Sequence, residues 1–389
     1  MPAYDYLIVG GGMTTASAIT GIREVDDTGT IGVIGAEPHP PYNRPPLSKG
    51  LWLGKPVRSI WRKANAASAT FHHSRTATTL DRAARTVTDD RGDVYHYENL
   101  LLATGSRARR LPFGEDQVLY YRTLDDYERL RRLADTGRHL AVVGGGFVGS
   151  ELAASLNTMG KRVTLVFPGE AIGSRLYPPA LARTVSALYE SRGVELAAGA
   201  RAVACESRGA QQALTVRDVA TGRDRTLLVD GVVVGVGAEP NVELAQSAGL
   251  AVQDGIRVDA SLRTSDPHIF AAGDVASVYN PALKAWRRVE HADSANHMGG
   301  YAGVAMTGRT LAYEYLPFFY SDFYNVSYEA VGEVDSRLEM VEEWTTPYGE
   351  GSVWYLRDGR VRGALFWNIF GQLGAGRRAI AAGGFTPAG

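Results

Sequence analysis

Short unbroken runs of Val, Ile and Leu recur along the chain, and most of them stop at glycine. They are YLIVGGG from residue 6, TIGVIGAE from 30, LLATGS from 101, LAVVGGG from 140, GVVVGVG from 231 and IFAAGD from 269. Apolar runs without alternation, separated by helical patterns, predict parallel strands buried on both faces. A strand, turn, helix, strand unit spans residues 4–37, and a second copy of that pattern spans about 138–170. IFAAGD reads as a further strand of the first sheet, which inserts the second unit within the first. After about residue 314 the texture changes to aromatic, alternating segments: VSYEAVGEV, SRLEMVEEW, GSVWYLRD and RVRGALFWN, closed by a helical tail from Gln372. The expected fold is α/β, with two doubly wound domains, one inserted in the other, plus a C-terminal α+β domain. The boundaries are 1–113 with 240–314 for the outer domain, 114–239 for the inserted one, and 315–389 for the last.

Composition narrows the classes. With 389 residues, 45% hydrophobic and 21% charged, the chain fits a globular protein of two or three domains. Lys and Arg number 41 against 42 Asp and Glu, so no global field draws it to nucleic acid or an anionic membrane. Cys205 is the only cysteine, which excludes an internal disulfide and a redox dithiol, and no metal-ligand spacing of Cys and His is present. His72 and His73 read as surface residues without complementary ligands. The opening MPAYDYLIVGGG lacks a basic leader region, and no apolar run approaches the roughly 20 residues that span a bilayer. A cytoplasmic location is expected.

Gly144, Gly146 and Gly149 form a complete G-x-G-x-x-G between strand and helix, with Phe147 and Val148 inside it. In such a turn the first glycine permits the sharp bend and the second lets a pyrophosphate approach the backbone. The third lets helix and strand pack closely, and the anion rests on the helix N-terminus. The first copy has Gly10 and Gly12 but Thr15 in third place, and Glu37 at the end of TIGVIGAE supplies an acid for a ribose hydroxyl. Glycines that merely end strands explain one such turn, not two in the same context. Two cradles imply a resident flavin dinucleotide, FAD, and an exchanging nicotinamide dinucleotide, NAD(P)H, with hydride passing between them.

The segments PYNRPPLSKGLW, Ala103-Thr104-Gly105, GGGFVGSELA, GAEPNVELA, AAGD, VEHADSANHMGGYAG and YEAVGEVDSRLE resemble those of apoptosis-inducing factor and its bacterial relatives. More broadly they resemble FAD-dependent NAD(P)H reductases, including ferredoxin reductases and monodehydroascorbate reductase, along nearly the whole chain. The resemblance implies that Arg44 and Lys49 contact the flavin, that Asp274 after Gly273 holds the ribityl chain, and that Arg122 lies near the FAD phosphates. It also implies that Lys49 and Glu151 pair beside the flavin N5, the lysine favouring developing negative charge and the glutamate positioning it. Without that implication, Glu151 reads as a first-turn acid favoured by the helix dipole by about 0.3–1 kcal/mol. That account leaves an acid repelling the pyrophosphate it sits beside. His291 matches a histidine against the flavin ring, with Glu290 before it, and Gly237 belongs to the turn ending GVVVGVG.

Glu170, displaced by one residue from the expected strand-end position, favours NADH, whereas the nearby Arg175 favours NADPH. Residues 314–325, EYLPFFYSDFYN, read mostly as core at a domain junction, with Phe319 and Tyr320 the two nearest the flavin; the family commonly has tryptophan in place of Tyr320. Arg107, Arg109, Arg110, Arg129, Arg131 and Arg132 form either a solvated charged face or a surface for an acidic protein such as ferredoxin. The expected activity is NAD(P)H oxidation through FAD, with ferredoxin-like proteins, quinones and oxygen as candidate acceptors. An alternative from the same resemblance is a redox-responsive interaction protein with a long-lived reduced flavin–NAD+ complex, whose members change dimerisation on binding nicotinamide; a homodimer is therefore a candidate state.

Overall fold

Each glycine-ended apolar run lies in a strand, and the register shows why these runs do not alternate. The computed structural model describes residues 1–62, 69–114, 116–309 and 311–383. Its α-helices in chain order are α1 (Met13–Arg23), α2 (Leu124–Thr136), α3 (Phe147–Thr158), α4 (Pro179–Ser191), α5 (Glu243–Ser247), α6 (Ala292–Met306) and α7 (Leu373–Ala382). The chain packs as two units. Met1–Asn43, Val57–Arg107 and Glu239–Phe319 form the first; Arg44–Pro56, Ala108–Ala238 and Tyr320–Gly389 form the second.

In the first unit the strands Thr70–His73, Ile31–Gly35, Ala3–Val9 and Val94–Leu102 lie side by side in that order, all parallel. Ile269–Ala271 adds to the far side of Val94–Leu102, pairing Ile269 with Leu100, so the late run does join the first sheet. Leu7, Ile8, Val33, Leu100, Leu101 and Leu102 are fully buried, as central parallel strands require. The start of Val94–Leu102 carries an antiparallel meander, Thr86–Asp89 and Ala77–Asp81. α1 and α6 approach closely through small residues. A Cβ on Gly21 would lie 2.3 Å from Gly300 O, and one on Gly303 would lie 2.2 Å from Ala18 O.

The second unit holds a five-stranded parallel sheet in the order Glu195–Ala197, Arg162–Val166, His139–Val143, Gly231–Val234, Leu119–Tyr120. An antiparallel excursion, Ala200–Arg208, Gln211–Asp218 and Asp224–Val229, interrupts it. From Tyr320 onward this unit also includes the C-terminal sheet, ordered Phe318–Phe323, Val326–Gly332, Arg360–Trp367, Glu350–Arg357, Glu339–Thr346, with α7 packed on it. Trp367 stacks on Tyr328 at 5.4 Å, and Tyr177 meets both rings edge-on. The SRLEMVEEW segment pairs only from Glu339, because Asp335–Leu338 closes a turn in which Leu338 N donates to Asp335 O. The junction stretch is itself partly a strand, Phe318–Phe323.

Candidate functional site

The two cradles are built alike. Gly10 and Gly144 have φ of +122° and +121°, and a Cβ at either would strike a carbonyl oxygen at the end of the neighbouring strand, Ala103 O at 2.1 Å or Gly235 O at 2.3 Å. Gly12 and Gly146 are different in kind. Each is the N-cap of its helix without a side-chain cap, and nothing lies within 4 Å of where a Cβ would stand. Neither helix has an acid in its first turn. Both sites therefore combine uncapped amides, the positive end of a helix dipole and a space as wide as a side chain, which fits a dinucleotide pyrophosphate.

The third positions solve one packing problem in two ways. A Cβ on Gly149 would fall 1.8 Å from Gly144 O. In the other copy, buried Thr15 meets the equivalent carbonyl with its hydroxyl, donating to Gly10 O at 2.5 Å. Glu37, just past its strand, accepts from the Tyr42 hydroxyl at 2.5 Å. Ala103 is buried, while Thr104 Oγ1 donates to Asn241 O at 2.7 Å and Gly105 turns with φ +66°. Gly237 turns with φ +108°, and Glu170 is exposed in the loop after Arg162–Val166.

Lys49 and Glu151 come together within the second unit. Arg44 caps a short 3-10 helix, Pro45–Ser48, whose paired prolines fix its entry, and the Arg44 guanidinium donates to Arg122 O at 3.0 Å. Trp52 Nε1 donates to Leu47 O at 2.7 Å, and the Tyr121 hydroxyl donates to the same carbonyl. The loop is tied to α3 at Glu151 and Ser155, one helical turn apart on one face. Ser48 Oγ donates to Glu151 Oε2 at 2.6 Å, and Ser155 Oγ donates to Ser48 O at 2.8 Å. Ser321 Oγ donates to Glu151 Oε1 at 2.5 Å, and Lys49 Nζ stands 3.2 Å from that oxygen. Lys49 Nζ also lies 3.6 Å from Asp322 Oδ2 and 4.0 Å from the centre of the Tyr320 ring.

Glu151 is the fifth residue of α3, its side chain only 6% exposed and committed to these donors. The dipole-seeking, first-turn reading of this acid does not hold: Glu151 stands past the first turn, and its carboxylate faces Lys49. Burial raises its pKa, opposed by Lys49 and then by the Ser321 and Ser48 hydroxyls.

Within the first unit, Asp274 follows Gly273 in a 3-10 turn and accepts from Ser106 Oγ at 2.8 Å. A Cβ on Gly273 would meet Thr14 Oγ1 of α1 at 2.3 Å, which places Asp274 close to the first cradle. His291 is the N-cap of α6 and stacks on Phe319 at 4.7 Å. Burial pushes its imidazole pKa down to about 4, with Asp274 partly opposing. Glu290 is engaged by Arg288.

Four of the candidate arginines and His72 have neighbours that account for them. Arg107 pairs with Glu243 at 2.5 Å, Arg131 with Asp135 at 3.3 Å and Arg132 with Glu128 at 3.9 Å; Arg110 covers the Tyr120 ring. His72 is half-buried rather than at the surface, its Nε2 2.8 Å from the Tyr4 hydroxyl. Among the described residues no group of His, Cys, Asp and Glu is arranged to hold a metal ion, and no helix is long and apolar enough to cross a membrane.

Sequence reasoning did not single out Ser48, Ser155, Ser321 or Asp322. A serine is among the least informative letters in a pattern, and only the alternation of Phe318–Phe323, which buries Ser321 and exposes Tyr320 and Asp322, marks it.

The family model described as pyridine nucleotide-disulphide oxidoreductase matches residues 4–299. The ferredoxin–NAD(+) reductase component of the anthranilate 1,2-dioxygenase system of Burkholderia cepacia is 36% identical over 98% of this chain and 95% of its own length. Mitochondrial apoptosis-inducing factor 1 of Dictyostelium discoideum is 30% identical over 97% of this chain and 78% of its own. Among solved structures, putidaredoxin reductase in covalent complex with putidaredoxin has a TM-score of 0.90 at 28% identity, covering 98% of this chain and 93% of that one.

Proposed function

The chain belongs to the pyridine nucleotide-disulphide oxidoreductase family as an FAD-dependent NAD(P)H oxidoreductase, and we propose that it is the reductase of an electron-transfer pair, oxidising NADH and supplying a small iron–sulfur protein of the ferredoxin kind. The observation that carries this reading is the largely buried pair between Lys49 and Glu151, the glutamate standing on the helix that opens at the second cradle. Support also comes from the cysteine count. Electron transfer through a protein dithiol needs two thiols, and Cys205 is alone. A cytoplasmic location is part of the proposal, since a lone thiol suits a reducing compartment.

Bound FAD supplies the interconversion of a two-electron hydride with onward electron delivery. The residues of this chain supply seating and charge. Gly12 and Gly146 leave room for the two pyrophosphates, Glu37 and Asp274 provide acceptors for ribose and ribityl hydroxyls, and Arg44 and Arg122 place positive charge beside the loop that carries Lys49. Lys49 presents an ammonium whose direction is fixed in advance by two carboxylates and an aromatic face, so it needs no reorganisation when negative charge develops next to it. Glu151, shielded from water and hydrogen-bonded by two serines, holds that ammonium in register. Within the first unit, His291 is kept neutral by burial and stacks on Phe319, so it adds no charge near Asp274.

The test is anaerobic stopped-flow mixing of the FAD-loaded protein with NADH, comparing wild type with Lys49→Met and Glu151→Gln. Loss of one preorganised donor is expected to slow hydride uptake by about 100-fold or more. Uptake at the wild-type rate in either variant overturns the role of the pair. A [2Fe–2S] ferredoxin added to the reduced protein is expected to be reduced faster than oxygen is consumed; the reverse order overturns the proposed partner.

A further inference from the structure

We propose that Asp322 is a positioning residue for Lys49, a second and solvated counter-ion that holds the ammonium in place when the buried Glu151 takes up a proton. The proposal rests on the reading of Lys49 and Glu151 given above and extends it to a residue outside the pair.

The geometry is asymmetric in a way a simple ion pair does not need. Lys49 Nζ lies 3.2 Å from Glu151 and 3.6 Å from Asp322, but the two acids live in different media: their side chains are 6% and 48% exposed. Asp322 is itself anchored, accepting from the Ser327 hydroxyl across a tight turn. It reaches Lys49 from the same strand that sends Ser321 to Glu151 and the Tyr320 ring beneath the ammonium. Three consecutive residues of one strand thus touch both members of the pair.

The consequence follows from charge. A buried carboxylate with one cationic partner is ionised at the cost of desolvation, and burial raises the proton affinity of Glu151. If Glu151 were the only counter-ion, its protonation would leave a nearly buried ammonium unpaired, an arrangement that costs several kcal/mol in general. Asp322 prevents this, because water solvates its own charge while it faces Lys49. The other titratable groups around the pair are phenols: Tyr177, Tyr189, Tyr320 and Tyr328 all couple to Glu151 or Lys49, and burial raises the pKa of each. They keep their protons across the acid and neutral range, so among these groups Glu151 is the one that burial inclines to take up a proton as the pH falls. The surrounding alkyl and aromatic groups then see a lysine whose place does not depend on pH.

Two measurements on the FAD-loaded protein test this. The first is the pH profile of hydride uptake from NADH in wild type, Asp322→Asn and Asp322→Glu. Between pH 8 and pH 5.5, Asp322→Asn is expected to lose about fivefold more of its rate than wild type, the worth of one partly exposed ion pair, and Asp322→Glu is expected to follow the wild-type profile. The second is peptide-resolved acetylation of Lys49, feasible because the chain has only five lysines, Lys49, Lys55, Lys63, Lys161 and Lys284. Relative to Lys161, Lys49 is expected to be acetylated about fivefold faster in Asp322→Asn at the acid end. Parallel pH profiles overturn the proposal. So does a steeper profile that Asp322→Glu fails to rescue while Lys49 acetylation stays unchanged, since that pattern marks a structural defect. Wild-type hydride uptake in Lys49→Met would instead overturn the role of the lysine, and the acetylation result would still decide whether Asp322 holds it.

Discussion

Replacing Gly146 with alanine separates the fold from the function at a single methyl group. Gly146 has φ −87° and ψ −169°, extended backbone that alanine adopts without strain, and no atom lies within 4 Å of the new Cβ. The folded protein therefore loses nothing, while the unfolded chain loses conformational freedom, a gain of about 0.4–1 kcal/mol for glycine to alanine at compatible sites. For a chain of this size that raises Tm by about 0.5–1 °C. The methyl occupies the space through which a pyrophosphate would approach the helix. Overpacking of that kind costs about 1–3 kcal/mol, or about 5- to 150-fold in the Kd for NADH. Gly149→Ala is the matched control, since its Cβ would fall 1.8 Å from Gly144 O and force the backbone apart; it is expected to lower Tm. Thermal melts by circular dichroism and anaerobic titration with NADH read both effects. If Gly146→Ala binds NADH as wild type does, the second cradle does not seat the dinucleotide, and the argument from open space at the helix N-terminus fails.

Two further outcomes follow from buried groups. The His291 imidazole pKa is pushed down to about 4 from 6.5, so between those values the folded protein binds fewer protons than the unfolded chain. Its contribution is complete above pH 6.5 and is lost as the pH falls towards 4, by up to about 3 kcal/mol at 1.4 kcal/mol per unit; urea midpoints of wild type and His291→Gln should converge at low pH, and equal slopes with pH would refute this. Ser155→Ala removes the donor to the buried Ser48 carbonyl, which is expected to cost about 1–3 kcal/mol in urea unfolding, and a loss smaller than about 0.5 kcal/mol would mean that water replaces it.

Hydrophobic pattern reveals most where a residue has no alternative. Central parallel strands must be apolar on both faces, so the runs at residues 6, 30, 140, 231 and 269 announce themselves, and the return of residues 269–271 to the first sheet follows from their composition. The antiparallel excursions at 77–89 and 200–229 escape notice because one side of each strand is exposed and polar letters there resemble loops. Thr15 weakens the first fingerprint on paper, yet its hydroxyl bonds the carbonyl that Gly149 avoids in the other copy. Lys49 and Glu151 are named by resemblance, since 101 residues of chain lie between them and no local rule links the two. Asp322 and the serines around Glu151 belong to no motif, and beyond the alternation that marks Ser321 their meaning depends on a strand and a helix brought together by the fold.

A reduced flavin that meets oxygen can release peroxide, and an enzyme of this kind ages in what it makes. Here the chain has little to corrode. Its only thiol, Cys205, is buried at 7% exposure, and burial raises its pKa so that the nucleophilic thiolate is scarce. Sulfenic acid forms from exposed, low-pKa thiols, so oxidative wear should fall on methionine before cysteine, and preparations should keep their activity without added reductant.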